Sequence, residues 1–199
     1  MLFRSAEDLW PDLTEDQAVN SLHQTVYFLR REIEPGYRDG HSTDYLLVES
    51  ELVYFDPELV HTASGAFLRQ ASQSLSRGTS GPEAVSLLAS YPGPFALDFQ
   101  YEDWTSAWRD TTHRTYLRLA EAALTEMIGA GEADRAIGVI AAVLAVDPEA
   151  IEIEALLPKA LARAGSRTAA EAAYLRYAAR FRTAFDAPAP PLGGMLDDP

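Results

Sequence analysis

Cysteine is absent from the 199 residues, and lysine occurs once, as Lys159. Without thiols the chain forms no disulfide, offers no thiolate nucleophile and gives no cysteine ligand to a metal. Long apolar runs are also missing, and none approaches the roughly 20 residues a helix needs to cross a bilayer. Residues 1–10, MLFRSAEDLW, hold no extended apolar segment ahead of a small-residue cleavage site, so no secretory signal is expected. Together these absences predict a cytoplasmic protein with no membrane partner. The four histidines, His23, His41, His61 and His113, stand singly and outside any HExxH spacing, so no metal site is expected. GxxxxGK[ST] and GxGxxG phosphate loops and the GxSxG elbow are lacking, which predicts neither a cofactor nor an enzyme.

Positive charge is the other scarcity. Sixteen basic residues face thirty acidic ones, a formal charge of -14. Residues 1–55 hold four arginines against eleven acids, or -7, and the remaining residues carry another -7. Neutralising phosphates supplies most nucleic-acid affinity, so a DNA contact here would rest on a local cationic cluster.

What is present is helical periodicity. Thr14 or Asp16 can cap a helix running to Ile33, and Val19, Leu22, Val26, Leu29 and Ile33 form one apolar stripe at spacings of three and four. The opposite face presents Asn20, His23, Gln24, Tyr27, Arg30 and Arg31. A shorter helix is expected before it, from Ser5 to Trp10, stopped by Pro11. After a polar loop, Tyr45–Val48 and Leu52–Phe55 read as two strands joined by a Glu49-Ser50-Glu51 turn. Helix, turn, helix and β-hairpin in that order outline a winged helix.

Beyond Val60 the pattern is helical throughout. Helices are expected from Thr62 or Ser64 to Leu75, in PEAVSLLAS, and from about Glu102 to Ile128. YPGPFALDFQ should be a loop, and Trp104 and Trp108, one helical turn apart, should pack in the core. Two further units follow. Ala130-Gly131 recurs thirty-four residues later as Ala164-Gly165, each pair followed by a polar turn and an alanine-rich helix. Thirty-four is the tetratricopeptide period, in which small residues let paired helices approach closely. The tail DAPAPPLGGMLDDP should be disordered.

Two stretches carry a resemblance. DLWPDLTEDQAVNSLHQTVYFLRREIEP is similar to the second and third helices of the OmpR-type winged helix in Streptomyces antibiotic regulatory proteins. YPGPFALDFQYEDWTSAWRDTTHRTYLRLAEAAL and the repeat after it resemble the bacterial transcriptional activation domain of the same family. The resemblance implies a mainly α protein: a partial winged helix over residues 1–60, packed on a tetratricopeptide-like domain over residues 61–186, then a disordered tail over residues 187–199. It implies a transcriptional regulator, or the C-terminal portion of one. Duplex DNA would meet Asn20, His23, Gln24, Tyr27, Arg30 and Arg31, with Tyr45–Phe55 as the wing. The helical domain would bind RNA polymerase, a sensor domain or a second copy in a homodimer.

Three features depart from the family pattern. The small sheet and first helix that open the family's winged helix have no counterpart here. Tyr27 and Phe28 stand where a small polar residue and an arginine are common. The wing carries Glu49 and Glu51, which would repel phosphate. These departures support the competing reading, a protein-interaction or oligomerisation module that does not bind DNA.

Overall fold

The computed structural model describes residues 9–49, 52–78, 81–91, 93–99 and 101–197. The helix expected from Ser5 to Trp10 lies almost wholly outside the described residues, as do Ser50 and Glu51 of the hairpin turn. The chain divides into two compact units, residues 1–63 and 64–199.

In the first unit, helix α1 spans Glu15–Ile33. Its start is a capping box: the Thr14 side chain accepts from the backbone of Gln17, and the Gln17 side chain accepts from the Thr14 backbone N–H at 3.1 Å. Glu15 and Asp16 in the first turn, with Arg30 and Arg31 in the last, both complement the helix dipole. Strands β1 (Leu46–Glu49) and β2 (Leu52–Phe55) pair antiparallel, Leu46 opposite Phe55 and Val48 opposite Val53. The buried row of α1 is Ala18, Leu22 and Val26. This corrects the expected stripe: Val19 is half-buried, while Leu29 and Ile33 are each 42% exposed. The periodicity places Leu29 and Ile33 on the inward side, yet both remain partly open to solvent in the last two turns of α1.

The second unit is a stack of helices. Helix α2 (Ala63–Arg77) and α3 (Gly81–Ala89) precede a short 3-10 turn at Leu97–Phe99. Helix α4 (Asp103–Gly129) and α5 (Ala133–Val146) form one hairpin. Helices α6 (Ile151–Glu154), α7 (Leu156–Arg163) and α8 (Arg167–Phe185) form the next. Helices α6 and α7 are separated at Ala155. Pro158 explains the break, because it has no N–H to give the Glu154 carbonyl and its ring crowds that oxygen. Alanines at 71, 84, 120, 123, 136 and 160 are fully buried and set close helix spacing around Leu119, Leu124, Met127, Ile128 and Ile140.

The thirty-four-residue repeat is written in the hydrogen bonds. Gly131 (φ 83) donates to the Ile128 carbonyl and Glu132 to that of Met127. One period later Gly165 (φ 81) donates to Ala162, and Ser166 to Leu161. Both are glycine helix stops that need a left-handed backbone.

Two expectations fail in this unit. Trp108 is not in the core: it is 39% exposed, and its indole N–H donates to Ser64 Oγ at 3.2 Å. The tail is not without structure. Leu192–Asp197 form helix α9 against α7, and Pro190 accepts a hydrogen bond from the Tyr174 hydroxyl at 3.1 Å. A composition rich in proline and glycine signals low intrinsic order, and the tertiary contact overrides it.

Candidate functional site

Helix α1 carries the residues expected to meet DNA. Asn20, His23, Gln24, Tyr27 and Arg31 are all exposed and share one face, which the three-and-four spacing brings together. Arg31 Nη1 donates to the Tyr27 hydroxyl at 2.8 Å, and the guanidinium lies 5.6 Å from the Tyr27 ring centroid. Phe28, 62% exposed, meets Tyr27 edge-on at 5.6 Å. The result is an exposed aromatic–arginine cluster able to stack on a flat group or to anchor a protein partner.

Arg30 leaves this cluster. Its Nε and Nη2 donate to the Leu46 carbonyl at 3.2 and 2.8 Å, and its side chain is only 20% exposed. Asp44 and Asp39 stand 3.7 and 3.9 Å from it, and the Tyr37 ring lies beneath the guanidinium. Tyr37 in turn donates to Asp44 at 2.6 Å, the main reason its hydroxyl is held above its ordinary pKa. This knot fastens the C-terminal end of α1 to β1. No local sequence signal could separate the two arginines, because the acceptor is a backbone carbonyl sixteen residues on.

The helical unit holds three polar constructions that sequence reasoning missed. In the first, His113 Nε2 and Asp147 Oδ2 are 2.9 Å apart, and the Tyr91 hydroxyl lies 3.2 Å from His113 Nδ1. This geometry fits an imidazole that donates through Nε2 and accepts the tyrosine proton at Nδ1. Tyr91 also stacks on Tyr116 at 4.2 Å, and burial pushes both phenols up to about 12. The contacts thereby join the segment after α3, α4 and the end of α5.

In the second, Arg109 donates to the carbonyls of Phe95, Ala96 and Phe99 and to Thr105 Oγ1. Thr105, fully buried, donates to the Phe99 and Glu102 carbonyls. Helix α4 thus pins the loop before it, including Ala96 at φ 53. In the third, the half-exposed Arg180 stands 3.0 Å from the nearly buried Glu154 and donates to the Pro148 carbonyl at 2.6 Å. Thirty-four residues earlier the same two positions are Ala120 and Val146.

Among the described residues no three acidic or histidine side chains gather as they would to hold a metal ion. No helix there is long and apolar enough to cross a membrane. Comparison with curated proteins gave no match. The family model described as the bacterial transcriptional activator domain matches residues 66–192, which takes in nearly all of the helical unit. The chain therefore belongs to the bacterial transcriptional activator domain family.

Proposed function

We propose that the protein is a bacterial transcriptional regulator of the Streptomyces antibiotic regulatory type. In this reading α1 and the β1–β2 hairpin are the recognition helix and wing of a winged helix. The helical unit is the surface that meets a protein partner such as RNA polymerase or a sensor domain. The observation that carries the reading is an activator-domain repeat preceded in the chain by a helix whose Asn20, His23, Gln24, Tyr27 and Arg31 face outward together. Arg30 supports that surface by holding the hairpin, and Arg31 is the cation that would meet phosphate.

A second reading is favoured by a specific observation. With Arg30 committed to Leu46 and a charge of -7 over residues 1–55, α1 offers little for phosphate. The first unit would then dock protein through Tyr27, Phe28 and Arg31. Titrating duplex binding against salt separates the two. A DNA reader loses affinity with rising salt, and Arg31→Ala lowers the slope by about 0.9 in log–log form. No duplex binding at low salt would leave the protein-docking reading standing.

A further inference from the structure

One face of α8 carries a ladder of aromatic rings. Tyr174, Tyr177, Phe181 and Phe185 follow one another at spacings of three and four, with ring centroids 6.5, 5.7 and 4.6 Å apart in turn. Tyr177 is buried, Tyr174 and Phe181 are half-buried, and Phe185 is exposed. Phe185 ends the helix, and Asp186 after it takes a left-handed backbone, φ 50, which turns the chain back. The Tyr174 hydroxyl then donates to the Pro190 carbonyl at 3.1 Å. The segment between is therefore fixed at both ends of the ladder.

That geometry leaves little slack. The rise along α8 from Tyr174 to Phe185 is about 16 Å, and a helical side chain leans toward the N-terminus, away from Phe185. Residues 186–190 span that distance only when extended, at about 3.1 Å each. The burial pattern agrees: Ala187 and Ala189 are half-buried, while Pro188 and Pro190 are exposed. An alternation of two is that of an extended chain with one side against a surface. Proline at every second position suits it, because each holds φ at about -65° and has no N–H in need of a partner.

The anchor of this segment is weak. Helix α9 rests on α7, but two of its six residues are glycine, and so short a helix does not hold in water alone. The family match ends at residue 192, where α9 begins, so the stack common to the family is built without it. A segment of low intrinsic order, leading out of the shared fold, lies along a run of rings.

We propose that the aromatic face of α8 is a docking groove for an extended alanine–proline segment of a protein partner, and that this chain's own tail occupies it as a displaceable strap. Small side chains at alternate positions settle against the rings, and the Tyr174 hydroxyl takes a carbonyl. Prolines keep the backbone straight, so that little conformational freedom is lost on docking. The inference rests on the reading in which the helical unit meets a protein partner, gives the chemistry of that partner, and is independent of DNA contact.

A labelled peptide of residues 186–199 and the full chain test it by fluorescence anisotropy. A tethered tail competes at an effective concentration in the millimolar range, so the unaltered chain should take up almost no peptide at micromolar concentration. Ala187→Glu with Ala189→Glu sets two charged side chains against the rings and should open the groove. The peptide should then bind at least about tenfold more tightly than to the unaltered chain. A peptide with the same two glutamates should not bind, and adding Tyr174→Phe to the opened chain should weaken binding about threefold to tenfold.

An opened chain with unchanged circular dichroism that ignores the peptide overturns the proposal, as does equal binding to both chains or equal binding of the glutamate peptide. Loss of the helical signal in the opened chain also overturns it, since the tail would then be part of the core. Sedimentation of the unaltered chain separates the strap from exchange between copies: a dimer that the two glutamates abolish would give the groove to a second copy's tail and overturn the strap. Duplex binding by the opened chain should stay at the unaltered level, so failure of the groove and failure of the regulator reading show separately.

Discussion

The guanidinium of Arg30 and the carbonyl of Leu46 form the tie between α1 and the hairpin, with donors at 2.8 and 3.2 Å onto one oxygen. Arg31, its neighbour in sequence, bonds only to the exposed Tyr27 hydroxyl among the described residues. Two adjacent arginines therefore differ in kind. Arg30→Ala should loosen the hairpin and lower stability by about 1–3 kcal/mol, the range for hydrogen bonds to a charged group. Arg31→Ala should change stability by under about 0.5 kcal/mol. Urea unfolding gives both values, and amide exchange at Leu46–Glu49 should accelerate in the first variant alone.

Arg109→Met should release the segment from Phe95 to Phe99 by removing four hydrogen bonds, while keeping the bulk of the side chain's stem. The expected loss is about 2–4 kcal/mol. Limited proteolysis should show a new early cleavage near Leu97 or Tyr101. Ala96→Gly should act in the opposite sense, since glycine accepts φ 53 without the Cβ strain, and raise stability by up to about 1 kcal/mol.

Arg180 and Glu154 should be unequal when removed. Losing the arginine leaves a nearly buried carboxylate without its cation, whereas losing the carboxylate leaves an arginine that is already 43% exposed. Arg180→Ala should therefore cost about 1–3 kcal/mol, less than for a wholly buried pair because solvent screens it. Glu154→Ala combined with Arg180→Ala should recover part of that loss, and the preceding repeat supports this by placing Ala120 and Val146 at the same positions. A double-mutant cycle by chemical denaturation reads the coupling. Additive effects would contradict it.

Stability should fall in alkali between pH 10 and about 12. Tyr91 and Tyr116 titrate near 10 in the unfolded chain and are pushed up to about 12 by burial in the fold. Below pH 10 both states keep the phenol protons, and this contribution is fully present. Above pH 10 the unfolded chain releases protons that the native state holds, so stability drops by about 1.4 kcal/mol per pH unit for each tyrosine. Tyr116→Phe should shallow that slope in thermal unfolding followed across the window. An unchanged slope would mean that Tyr116 is not shielded in the fold.

How much was legible varied by element. The turn glycines 131 and 165 disclosed the repeat because a left-handed helix stop is a local demand on the backbone, met within five residues. The α1 range and strand β2 followed from caps and alternation for the same reason. The phase of burial along α1 did not follow: Leu29 and Ile33 carry the right spacing, but which turns are covered depends on what packs there. Trp108 was misplaced because a large apolar side chain has a surface solution once Ser64 accepts its N–H. The His113–Asp147 and Arg180–Glu154 pairs join residues 34 and 26 positions apart, beyond any window in which spacing carries information.

The order of elements, the helical class and the tetratricopeptide-like repeat were fixed by local chemistry in the chain, since caps, glycine stops and apolar periods act within a turn or two. Tertiary structure alone decided which of Arg30 and Arg31 faces water, which aromatics stay outside, and that the tail becomes a helix. Those outcomes depend on carbonyls, cavities and cations brought close by folding, and their energies have no counterpart in any short stretch of the sequence.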